Sequence, residues 1–119
     1  MTVIDRPQVR LAGQVAAAPG PLNMDTMYLM HHALRRDFAR LAAATRTVAP
    51  TDSRRLAGLH RHLEYVLHSL HRHHSGEDEV IWPEMRRRAP REHAILDAME
   101  AEHGGLDTTI DAARTAYAA

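Results

Sequence analysis

The segment His71-Arg-His-His-Ser-Gly-Glu-Asp-Glu-Val-Ile-Trp-Pro83 is the point from which the chain is best read. His73 and Glu77 stand four residues apart, so on a helix one imidazole and one carboxylate share a face, one turn from each other. Such a pair suits a first-row transition ion such as iron, manganese or zinc. Alone it fits a solvated, charged helix equally well. What decides between the two is whether other parts of the chain send similar groups to the same place.

The composition permits the metal. Ten histidines stand among 119 residues, and there is no cysteine, so thiolate sites, disulfides and cysteine nucleophiles are excluded. A chain that binds a transition ion without thiolates uses histidine and carboxylate. Lys+Arg and Asp+Glu are both 15, which gives no net attraction to nucleic acid or an anionic membrane. An apolar set dominated by Ala and Leu, with 4% aromatic residues, favours helices over sheets. The length fits one domain with a modest core. No apolar run is long enough to cross a bilayer, and Leu11–Ala18 is interrupted by Gly13 and Gln14, too weak for a signal peptide. A cytoplasmic protein is the expectation.

Residues 1–23 contain Pro7, Gly13, Pro19, Gly20 and Pro21 and no sustained period, which predicts an extended N-terminal arm. Residues 24–119 form the helical domain. The first helix is expected from Asn23 or Asp25, either of which can cap it, to about Val48, before Pro50. Its apolar stripe of Met27, Leu34, Phe38, Leu41 and Val48 passes through His31, while His32 turns away. Thr51, Asp52 and Ser53 cap a second helix whose stripe is Leu56, Leu59, Leu63, Val66, Leu70, His73, Glu77 and Val80. Its last three steps place an imidazole and a carboxylate in an apolar row. A buried carboxylate without a partner costs several kcal/mol, on the order of the desolvation penalty of one ion, so a cation should meet Glu77. An arginine would serve, and so would a metal. Pro83 predicts a kink. His60, His62, His68, His71 and His74 are assigned to solvated or interface positions, with His74 in reserve as a ligand, as is His32. Arg86, Arg87 and Arg88 close a helix, where cations are favoured, and receive no binding role.

After Pro90 a third helix is expected from about Arg91 to Ala118, with the stripe Leu96, Met99, His103, Leu106, Ile110, Ala113 and Tyr117. Asp107 follows His103 by one turn. Gly104 and Gly105 would admit a close neighbour or break the helix. If short turns make successive helices antiparallel, His31 lies about 27 Å from the end of its helix and His73 about 31 Å from the start of the next, at 1.5 Å per residue. By the same measure His103 reaches the same level. Three core-facing imidazoles at one height of a bundle favour a metal site.

Three segments then resemble the hemerythrin-like (HHE cation-binding) domain family: Met30-His-His-Ala-Leu-Arg-Arg-Asp37, His73-His-Ser-Gly-Glu-Asp-Glu-Val-Ile-Trp-Pro83 and Met99-Glu-Ala-Glu-His103. The resemblance covers about residues 24–117 and is most specific in the middle segment. It implies an all-α, up-and-down helical bundle holding a non-haem di-iron centre. It also implies His31 as the first-helix ligand, His73 and Glu77 as the second-helix pair, and His103 from the third. Asp107 is an additional ligand candidate that matches the family only loosely. The family's fourth helix, with its own ligands, has no counterpart up to residue 119. Either the sequence is a fragment of a longer protein, or two chains pair and share sites, or the site holds a single or weakly bound ion. For a complete chain the expectation is three long helices, completed to four or more by another chain in a homodimer.

The function expected is binding, sensing or processing of O2, peroxide or nitric oxide at iron, with no nucleophile–base pair or phosphate loop to support hydrolase or kinase chemistry. Two alternatives remain open. One is a single zinc or iron ion that stabilises the bundle, with manganese a further candidate metal. The other is a metal-free interaction module whose histidines are satisfied by hydrogen bonds alone.

Overall fold

Residues 7–12 and 22–118 are described by a computed structural model of the chain. Every regular element among them is helical: α1 (Asp25–Thr47), α2 (Ser53–Gly76), a π turn (Glu77–Ile81), α3 (Trp82–Arg88), a 3-10 turn (Pro90–Glu92) and α4 (His93–Ala118). None of these helices is long and apolar enough to cross a membrane. Internal packing divides the chain into two units, residues 1–47 and 48–119.

In the first unit, α1 starts where a cap is available. Asn23 Oδ1 accepts from the Asp25 backbone N–H at 3.0 Å, and Asp25 adds negative charge to the first turn. Residues 8 and 9 lie beside this start: Gln8 Nε2 donates to the Leu22 carbonyl and the Val9 N–H to Asp25 Oδ1, both at 3.3 Å. The rest of the expected arm, residues 1–6 and 13–21, lies outside the described residues. The expected stripe of α1 is visible in its burial. Leu34 and Leu41, seven apart, are buried, and Met27, His31 and Phe38 are half-buried.

In the second unit, Asp52 caps α2 by accepting from the Arg55 N–H at 3.0 Å. The second helix expected to run to the arginines is realised as α2, the π turn and α3 in succession. The cause is Pro83. It has no N–H to give, and its ring would crowd the carbonyl of Glu79 in an α-helix. One widened turn solves both problems: the Trp82 N–H reaches back five residues to the Glu77 carbonyl, and Pro83 falls in the first turn of α3, where its missing N–H costs nothing. The disturbance expected at Pro83 thus takes the form of an inserted residue.

That insertion changes which side chains face inward. The stripe expected Val80 in the core, but Val80 is 68% exposed, and Trp82, five residues after Glu77, is buried instead. Leu56, at the other end of the stripe, is also exposed, within the first turn of its helix. The buried set of the second unit is Leu63, Val66, Leu67, Trp82, Leu96 and Ile110, joined by His74, Glu77 and His103.

α4 runs antiparallel to α2 and α3. As the residue number rises on one side it falls on the other: His60 meets Tyr117, Glu64 meets Arg114, His74 meets Asp107, Asp78 meets His103, and Arg86 meets Glu100 and Asp97. This is the register that the level estimate for His73 and His103 required. Arg86 is committed to Asp97 (2.8 Å) and Glu100 (3.2 Å), which raise its pKa, with Asp97 the larger cause. Arg87 and Arg88 both bind Glu84. The basic triplet therefore serves α3 and its contact with α4. Gly104 and Gly105 do not break α4, and a Cβ at either would touch nothing within 4 Å, so no close approach in the described chain needs them.

Candidate metal centre

Glu77 is the centre of the second unit's polar core. It opens the π turn and is only 4% exposed, a position where a lone carboxylate is costly. Its two oxygens face two different helices. Oε1 is 3.2 Å from His73 Nε2, one turn back on α2, and Oε2 is 3.4 Å from His103 Nε2 on α4. The i,i+4 spacing of the sequence thus works as expected, and antiparallel packing brings the third donor.

His103, itself 7% exposed, is held from its other side. Its Nδ1 lies 2.8 Å from Asp78 Oδ1. An ionised carboxylate can only accept, so Nδ1 carries the proton and donates. In a neutral ring that leaves a lone pair at Nε2, aimed at the lone pairs of Glu77 Oε2. Two lone pairs facing each other inside a protein are unfavourable, and a cation between them removes the conflict. A histidine whose second nitrogen is tied to a carboxylate is also the usual arrangement around a bound metal, because the outer bond fixes tautomer and ring orientation. Asp78 takes that place because the π turn carries it toward α4.

Of the residues expected at the site, His73, Glu77 and His103 are brought together. His31 lies half-buried on α1 in the first unit, on the same face as Leu34. Asp107 lies on α4 one turn after His103, exposed, with Oδ1 3.1 Å from His74 Nε2.

His74 is the residue sequence reasoning misplaced. Expected in a solvated or interface position, it is the most buried histidine named among the core, at 3% exposure. Its ring is tilted against that of His103, centroids 5.2 Å apart. A second line along α2, Leu63, Leu67, Leu70, His74, also runs at helical spacing and would have found it. His60, His62, His68 and His71 are exposed as expected.

Helical elements throughout the described residues, no cysteine, and imidazoles gathered on an inward carboxylate define a histidine–carboxylate cation-binding protein of the all-α class. The family model described as Hemerythrin HHE cation binding domain matches residues 23–119, and the chain belongs to that family. Comparison with the curated proteins and with the solved structures gives no match.

Proposed function

We propose that the centre on Glu77 is a non-haem iron site of the di-iron carboxylate type, which binds, senses or processes O2, peroxide or nitric oxide. The observation that carries this is Glu77 itself: a buried carboxylate whose two oxygens each meet the Nε2 of a different histidine. The donor set fits iron, since imidazole and carboxylate without thiolate suit that ion. His73, Glu77 and His103 would hold it. Asp107, the fifth expected donor, meets His74.

Iron at such a centre supplies an open coordination position for a small ligand. The chain supplies the rest. Glu77 balances charge, Asp78 fixes the tautomer of His103, and Val66 and Leu67 with Leu96 and Ile110 limit the approach of bulk water. Two copies of the chain associating is part of the same proposal. Val80, Ile81 and Met85 form an exposed apolar surface on the π turn and α3, of the kind that self-association covers.

The test is to load the protein with Fe2+ without oxygen, admit O2, peroxide or nitric oxide in turn, and record the optical spectrum and the mass in solution. An optical change that appears in the wild type and is absent from Glu77→Ala supports the proposal. One colourless ion per chain, with no response to any of the three, would identify the structural single-ion site instead.

A further inference from the structure

A second cluster of donors lies beside the Glu77 centre and includes Asp107, which the sequence had offered to that centre but which meets His74 instead. His71, His74 and Asp107 each offer one ligand atom, and the three atoms lie within 4.8 Å of one another. Two come from adjacent turns of α2, the third from α4. We propose that they form a separate site for a divalent transition ion of the zinc class, bound by two imidazoles and one carboxylate with solvent completing the shell.

The geometry supports this in three ways. First, the 3.1 Å between His74 Nε2 and Asp107 Oδ1 is close to the ligand–ligand edge of a tetrahedral ion, about 3.3 Å for bonds near 2.0–2.1 Å. His71, edge-on to His74 with centroids 5.3 Å apart, offers its nitrogen from the open side, and Ser75 Oγ stands 3.4 Å from His71 Nε2. Second, His74 is unsatisfied as it stands. It is 3% exposed, and its Nδ1 has no hydrogen-bond partner among the described residues. If Nε2–H donates to Asp107, a buried lone pair is left over; if Nδ1 carries the proton, a buried donor is left over and Nε2 faces the carboxylate with a lone pair. No neutral tautomer satisfies both nitrogens, and an ion on Nε2 removes the conflict with Asp107, leaving only the Nδ1 donor over. Third, burial is graded: His74 is inside while His71 and Asp107 are exposed, so an ion can enter from solvent and lose only part of its water. An oxygen and two neutral nitrogens suit zinc, cobalt or nickel better than the oxygen-seeking calcium or magnesium.

The test uses the full chain freed of metal and titrated with Zn2+ for stoichiometry and Co2+ for its visible spectrum. Two double variants are compared with wild type: His71→Ala with Asp107→Ala, and His73→Ala with Glu77→Ala. The first pair changes exposed residues, so circular dichroism should confirm an intact fold, and His71→Ala alone is the fallback. The proposal expects the His71/Asp107 variant to bind one Zn2+ fewer, or to lose affinity for that ion by more than the roughly 10- to 100-fold typical of losing an outer partner. It expects the His73/Glu77 variant to keep that ion, with the His74 ring signals in the NMR spectrum shifting as Zn2+ is added. Equal stoichiometry and affinity in the wild type and the His71/Asp107 variant would overturn the proposal, and so would half-saturation only in the millimolar range. Unchanged total Zn2+ stoichiometry in the His73/Glu77 variant would count against the Glu77 centre alone.

Discussion

His103 Nδ1 donates to Asp78 Oδ1 at 2.8 Å, and this bond ties α4 to the π turn at the level of Glu77. It settles which nitrogen of His103 is available to a ligand. Asp78→Asn keeps the shape but can turn its NH2 toward Nδ1, releasing the tautomer. The expected result is metal affinity lower by roughly 10- to 100-fold with the fold intact, measured by titration of the metal-free protein and circular dichroism. Unchanged affinity would mean the bond has no part in ligation.

Trp82 is the chain's single tryptophan, and its backbone N–H donates to the Glu77 carbonyl. Its ring is buried in the same unit as Glu77, so its fluorescence can be followed as metal is added. Addition of Co2+ or Fe2+ should quench it in the wild type and much less in Glu77→Ala. Equal quenching in both proteins would place the ion elsewhere.

The π turn makes an opposed pair of stability predictions. Trp82→Ala empties a buried site and should cost about 3–5 kcal/mol, whereas Val80→Ser, at an exposed position, should change stability by within about 0.5 kcal/mol. A continuous α-helix through residues 77–82 would put Val80 inside. Urea denaturation of the two variants distinguishes the registers.

Glu84 accepts from Arg87 and from Arg88, and these bonds, Arg87 first, hold its carboxyl below the usual carboxylate range. A lowered folded-state pKa adds stability above the unfolded value, and that contribution is lost as pH falls through the folded value. Glu84→Gln should thus be slightly less stable than wild type near pH 7, and the difference should shrink as pH falls below the usual carboxylate range. The exposed position keeps the difference small. Denaturation midpoints of the two proteins followed from pH 7 downward check it.

How far could the residues alone be read? The cap at Asp52, the stripe through Leu34 and Leu41 and the antiparallel placement of His73 against His103 follow from spacing, because helix period and rise are nearly constant. The π turn does not follow from spacing. A proline inside an apolar stripe announces a disturbance, but whether the chain kinks or inserts a residue depends on what the displaced side chains find. Here Trp82 finds the core and Asp78 finds His103. His74 escaped for a different reason. α2 buries two adjacent rows, so adjacent pairs such as Val66 with Leu67 are both inside, and a single line of apolar residues marks only one of them. Gly104 and Gly105 look meaningful in sequence, yet the described chain leaves open space at both.

The account depends on Glu77 gripping a cation between two imidazoles. The direct measurement is iron per chain, by elemental analysis, in wild type and in Glu77→Gln and Glu77→Ala prepared identically, with circular dichroism to show that each is folded. Substantial iron in the wild type and a large loss in both variants is the predicted result. The same iron content in all three folded proteins would contradict it.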